Sequence, residues 1–192
     1  MNTVNDLRFA RTEKLLQDAL TQLISSRAYE DIYVSDLVKI AGINRSTFYA
    51  HYSNIDHLLG SLIKNGWEIM LPSDERMNRM SSQELLDYLV RAAFAYSKTH
   101  QKLVVIALRE IQYSPYMADT YNVIVESVVN LTMFSLQGND IDAESCLLLA
   151  KYIVNGVFGC FLSYFEQKTI MPEEEFISMI INLVSASIET LT

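Results

Sequence analysis

Apolar residues recur at helical spacing through most of the chain, and the breaks in that rhythm divide it into segments. Leu16, Ala19, Leu20 and Leu23 form one stripe, predicting a first helix from about Asn5 to Ser26. Val34, Leu37, Val38 and Ala41 form a second, and Gly42 ends it, since glycine enters the left-handed backbone region without steric cost. Asn44 is a favourable N-cap, Arg45 opens a short third helix, and Phe48 is its inward residue. Ser53 is expected to cap a fourth helix reaching Leu71, with Ile55, Leu58, Leu59, Leu62 and Ile63 buried and Pro72 as its stop. Five further helices follow: 82–99, 101–113, 114 to about 136, 142–167 and 172–191. The pattern is all-α, with about nine helices.

The stretch from Tyr33 to Tyr52 therefore predicts two short helices around a glycine turn, the layout of a helix-turn-helix. Such corners also occur in proteins that never touch DNA. The exposed flank of the second helix separates the two readings. It carries Arg45, Ser46, Thr47, Tyr49 and His51, hydrogen-bonding or cationic groups without an acid among them. Phosphates and base edges call for donors of this kind, whereas a merely solvated face mixes in Glu and Lys.

The run AGINRSTFYAHYSNIDHLL resembles the DNA-binding domain of TetR-type transcriptional regulators. The resemblance covers about Leu7 to Lys64, and the rest of the chain shares only the family's helical layout. It implies an N-terminal three-helix domain at 1–66, with the motif at 33–52, and a helical effector-binding and dimerisation domain at 67–192. It also implies that Ser35, Asn44, Arg45, Ser46, Thr47, Tyr49, His51 and Asn54 face DNA. Two positions depart from the family pattern. Tyr33 stands where a Thr often caps the second helix, and Asn54 stands where a Lys often meets a phosphate. The loss of that Lys predicts less salt-sensitive binding. Arg8 and Arg11, at the start of the first helix, lie where the family approaches the DNA backbone, or else in a solvated arm.

Charge sharpens this picture. The 192-residue chain carries a formal net charge of −8. Residues 1–64 hold seven basic and seven acidic side chains, so the excess acidity lies wholly in residues 65–192. An acidic body repels nucleic acid, which leaves the neutral end as the docking face. Cys146 and Cys160 have no CxxC spacing or nearby His and are expected to be reduced core residues. No apolar leader and no uninterrupted apolar run of membrane-spanning length is apparent, which leads to the expectation of a cytoplasmic protein.

The segment YIVNGVFGCFLSYF is apolar nearly all round, and Gly156 and Gly159 would permit close helix approach. Together with the face Ile177, Ile180, Ile181, Val184 and Ile188, it is expected to form a four-helix homodimer interface; burial inside one subunit is the other reading. A cavity between body helices would suit a small-molecule effector of unknown identity. Trp67, Phe94, Tyr96, Tyr113, Tyr121 and Phe158 are candidate walls, although any one of them also suits plain core. No hydrolase, nucleotide-binding or metal-ligand motif occurs, no cofactor is implied, and an enzyme reading has no positive support. The expectation is a dimeric, ligand-responsive repressor on a palindromic operator. The alternative is a co-activator or regulator controlled by a partner protein on its C-terminal domain.

Overall fold

Local chemistry sets the ends of the helices in the N-terminal third. A computed structural model of the protein describes residues 3–111, 114–135, 142–168 and 170–190. Helix α1 (Thr3–Ser26) is followed by a 3-10 turn at Tyr29–Asp31, α2 (Val34–Ala41), α3 (Arg45–His51) and α4 (Ile55–Met70). Gly42 ends α2 with φ +66° and nothing within 4 Å of where a Cβ would lie, so backbone conformation alone selects glycine there. Asn44 caps α3 by accepting from the Thr47 N–H at 2.7 Å. Leu71 takes the extended backbone that Pro72 imposes on its predecessor, and α4 stops before it.

The remaining helices are α5 (Asp74–Met77), α6 (Ser82–Thr99), α7 (Gln101–Glu110), α8 (Ala118–Ser135), α9 (Ala143–Phe165) and α10 (Glu173–Glu189). No strand occurs among the described residues. Three boundaries differ from expectation. Asn54, not Ser53, caps α4, with its Oδ1 accepting from the His57 N–H at 2.8 Å. Pro115 starts a 3-10 turn, Pro115–Met117, that leads into α8. The four-residue α5 is a tenth helix, too short to produce any apolar period.

Phe48 has no exposed surface and packs with Leu16, Leu20, Leu37, Leu58 and Leu59. Burying such a side chain contributes about 1.5–3 kcal/mol. This core continues without a break through Leu103, Ala107, Met117, Ile124 and Val154 of the body. A second cluster, centred on Phe94, Phe161, Phe165 and Phe176, packs α6 against α9 and α10. The expected division after residue 66 falls inside α4.

Helix α4 is seated by absent side chains. A Cβ on Gly66 would lie 2.6 Å from Cζ of Tyr96, and one on Gly60 would lie 2.8 Å from Oγ1 of Thr120. At its first turn, Asp56 accepts from the Tyr29 hydroxyl at 2.7 Å and from the Ser114 hydroxyl at 2.9 Å. One carboxylate thus joins the α1–α2 connection to the segment before α8.

Helix α9 is long and apolar enough to cross a membrane by length and composition. Lys151 and Asn155 interrupt its apolar residues, so it is not an uninterrupted apolar run. Its buried residues, among them Ala150, Ile153, Val154 and Phe161, pack within the helical body. Cys146 and Cys160 are free, the first buried and the second partly so.

Two outcomes are expected. Gly66→Ala adds helix propensity of up to about 1 kcal/mol but collides with the Tyr96 ring, and overpacking costs about 1–3 kcal/mol. Urea denaturation of this variant should show a lowered midpoint, and pairing it with Tyr96→Ala should recover part of the loss. Burial, then the neighbouring Asp56 and Glu30 carboxylates, push the Glu110 carboxyl up from its ordinary value of 4.5. The folded state therefore holds this proton more tightly than the unfolded chain, and ionised Glu110 opposes folding once pH rises through its folded range. Thermal melts of Glu110→Gln should show a gain in stability near about pH 7. That gain should shrink as pH falls toward the ordinary value of 4.5 and vanish below it.

Candidate functional site

The flank of α3 opposite Phe48 carries the candidate interface. Arg45, Ser46 and Tyr49 are exposed on it, and Thr47 is partly exposed. Asn44 organises this flank. Its Oδ1 accepts not only from the Thr47 N–H but from the Ser46 hydroxyl at 2.7 Å and the Thr47 hydroxyl at 2.8 Å. The two hydroxyls are thereby held with their lone pairs outward, while two hydroxyl oxygens and one backbone nitrogen share a single acceptor. Arg45 and Tyr49 lie one helical turn apart on the same face and leave a guanidinium and a phenol open to solvent.

The other predicted residues are distributed around this flank. Ser35 is exposed in the first turn of α2, beside Asp36, whose Oδ2 accepts from the Tyr33 N–H at 3.2 Å and pairs with Arg27 at 3.2 Å. Asp36 thus supplies the return half of a capping box by satisfying the Tyr33 N–H, while the Asp36 N–H that a Thr hydroxyl would cap is met by the Tyr33 carbonyl at 2.9 Å. Asn54 spends its Oδ1 on capping α4, and only its amide donors remain for an outside partner. The first-turn positions of α4 are Ile55, Asp56 and His57, none of them Lys.

His51 is the residue whose setting sequence reasoning described least well. Its ring stacks on Phe9 of α1 at 3.9 Å, and its Nδ1 is buried with no protein partner. It braces α3 against α1 through one face, which restricts any outward reach. His57 accepts from the Ser53 N–H at 3.3 Å through Nδ1 and sits edge-on to Tyr52.

Two features were missed. Tyr33, read only as a lost cap, is 62% exposed and lines a shallow groove with Tyr49, Ser53 and Asn54. Two adjacent exposed phenols beside α3 are a signal that the spacing Tyr33–Tyr49 hid, because the residues belong to different helices. Lys39, exposed in the last turn of α2, adds a cation to the same domain.

The body holds a cavity of about 370 Å³ between α4, α6, α8, α9 and α10. Trp67 and Phe158 line it. Phe94, Tyr96 and Tyr121 do not. Phe94 is locked among Phe161, Tyr164, Phe165 and Phe176, Tyr96 packs on Gly66, and the Tyr121 hydroxyl accepts from Asn155 at 2.7 Å. Tyr113 lies outside the described residues. The walls are mostly aliphatic, including Leu86, Leu89, Ile124, Val128, Leu131 and Val157. Aliphatic cavity walls carry the same period as aliphatic core, so nothing in the sequence distinguishes them.

Residues 16–62 match the model of the bacterial regulatory proteins of the tetR family. Two curated relatives are similar over longer stretches. The uncharacterised HTH-type transcriptional regulator YxbF of Bacillus subtilis is 27% identical over 180 residues, covering 88% of this chain and 43% of the relative. The dhaKLM operon transcriptional activator DhaS of Lactococcus lactis is 30% identical over 95 residues, half of each chain. The chain spans about half the length of these relatives. Among solved structures, the TetR-family repressor FadR of Thermus thermophilus, in complex with lauroyl-CoA, superposes with a TM-score of 0.69 at 13% identity, covering 94% of this chain and 95% of that one. The matched motif and the shared architecture of helix-turn-helix and helical body converge on one assignment: residues 16–62 carry the DNA-binding domain of the tetR-family bacterial regulators, on a fold shared with TetR-family structures.

Proposed function

We propose that the chain acts in the cytoplasm as a homodimeric, effector-responsive repressor of a two-fold symmetric operator. The observation that carries this reading is the α3 flank. It combines an open guanidinium and phenol with hydroxyls pre-oriented by Asn44, next to a body that holds all of the excess negative charge. Arg45, Thr47 and Tyr49 are assigned to bases or phosphates in the major groove, with Ser35, Asn44, Ser46 and Asn54 positioning the backbone. His51 acts chiefly by fixing α3 on α1. The 1–66 portion reads DNA and the 67–192 portion senses and dimerises, with α4 spanning both.

Dimerisation is supported by the outer face of α9. Leu148 and Tyr152 are 71% and 67% exposed, and Leu183 of α10 is 54% exposed. Gly156 and Gly159 extend this face with nothing within 4 Å of an added Cβ. A mid-helix glycine facing open space costs about 1 kcal/mol relative to alanine. Close approach of a second copy of the same helix accounts for retaining two. Ile177, Ile180, Ile181 and Val184, expected at this interface, are instead buried within the subunit. Two recognition helices on such a dimer would enter successive major grooves about 34–36 Å apart.

Effector control rests on the cavity, which shares Trp67 with α4. An occupant that displaces Trp67 shifts the helix whose other end holds Asp56 and the Asn54 cap, and so alters the spacing of the recognition helices. Its influence equals its difference in affinity for the two states. A second reading, a positively acting regulator controlled by a partner protein, draws on the likeness to DhaS, named as an activator.

Two measurements test the proposal. DNA fragments retained by the purified protein should share a two-fold symmetric site. On that site Arg45→Ala and Tyr49→Ala should each lose about 1–3 kcal/mol of binding with unchanged circular dichroism; unchanged gel-shift affinity in both variants would overturn the assignment. Sedimentation of Leu148→Glu, which places an unpaired charge on the α9 face, should show a shift from dimer toward monomer and a loss of full-site affinity.

A further inference from the structure

The chemistry of the cavity wall restricts what can occupy it. Glu189 is the only ionisable side chain among the described residues that line it, and no Lys, Arg or His does. The residues outside the described set contain no Lys, Arg or His either, so no cationic side chain from them can reach the cavity. An anionic ligand would therefore enter a low-dielectric space with no cationic side chain to meet it, next to a carboxylate of its own sign. Most of the remaining polar groups gather at one end. Ser82 and Gln83 start α6, Ser185 and Glu189 lie in the last turns of α10, and the Ser185 hydroxyl stands 3.5 Å from Oε1 of Gln83. Elsewhere the wall is hydrocarbon, with two exceptions, the first being the buried hydroxyl of Thr132 on α8. The second is the indole N–H of Trp67, which is buried and from which no protein group accepts. Indole is a donor only, so it asks for an acceptor and tolerates no second donor.

We propose that the cavity takes an uncharged, largely hydrocarbon molecule bearing one neutral oxygen acceptor, such as an alcohol, ketone or ester, with Trp67 as a specificity-determining donor. This deepens, and rests on, the effector reading above. It separates the chain from its structural neighbour FadR, whose ligand, lauroyl-CoA, is a polyanion. A volume of about 370 Å³ lies at the small end of the range for small-molecule sites, which suits a chain of medium length.

Trp67 is the only tryptophan in the chain, so its fluorescence reports occupancy directly. The purified full chain should be titrated with 1-decanol, sodium decanoate and lauroyl-CoA, with parallel gel shifts on the operator recovered by fragment selection. The expected result is a saturable change in Trp67 emission with 1-decanol, together with operator release. Decanoate should bind at least about tenfold more weakly and lauroyl-CoA should leave the emission unchanged. Calorimetry on Trp67→Phe, which keeps the apolar wall and removes the donor, should show 1-decanol bound roughly fivefold more weakly. Decanoate or lauroyl-CoA binding as well as 1-decanol and releasing DNA would overturn the ligand class while leaving the effector reading intact. Unaltered affinity in Trp67→Phe would remove Trp67 from its role. Saturation by 1-decanol with no change in operator affinity would instead overturn the effector reading and keep the ligand class. No response to any of the three probes would overturn the inference itself.

Discussion

At residues 60 and 66 helix α4 has no side chain, and it is there that it meets Thr120 and Tyr96 of the body. Close approach of backbone to neighbouring side chains fixes how α4 sits against the body. Its first turn carries Asp56, its middle buries Leu58 and Leu59 beneath the helix-turn-helix, and its last turns contribute Trp67 to the cavity wall. Three separate demands therefore fall on sixteen residues of helix.

The junction is polar where the rest of the interface is apolar. Tyr29 and Ser114 both donate to Asp56, and Asp56 and Glu30 lie close enough to Glu110 to add to the rise in its proton affinity that burial begins. Tyr29 is held well above the ordinary phenol range, by its burial first and then by Asp56, so it stays a donor throughout the accessible pH range. A hydrogen-bonded carboxylate fixes direction as well as distance, which an apolar contact does not. Concentrating acid here carries a penalty in self-repulsion, and the two hydroxyl donors offset part of it.

Helix α9 illustrates how apolar sequence divides between two uses. Its inner face, with Ala150, Ile153, Val154 and Phe161, belongs to the body's own cores. Its outer face, with Leu148, Tyr152 and the two glycines, is left uncovered by this subunit. An all-round apolar helix says that both faces will be buried, and is silent about which subunit buries each.

The N-terminal elements were legible because their signals are local. Gly42 dictates a left-handed residue, Asn44 satisfies a helix N-terminus three residues away, and Phe48 marks the inward face by period alone. The same locality placed Arg45, Thr47 and Tyr49 together on one flank. Where two caps competed side by side, as with Ser53 and Asn54, the sequence could not choose, since both side chains can accept from a backbone N–H and the packing of α4 decides which one does. Contacts between distant segments were illegible for a related reason. The stacking of Phe9 on His51, the Tyr29–Asp56–Ser114 junction and the setting of Tyr33 beside Tyr49 depend on how helices cross, which no short-range pattern encodes. The cavity is the extreme case. An aliphatic stripe reads the same whether its partner helix fills the facing space or stands back from it, so the sequence alone determined the helices and their apolar faces, and only the tertiary packing decided where those faces leave a gap.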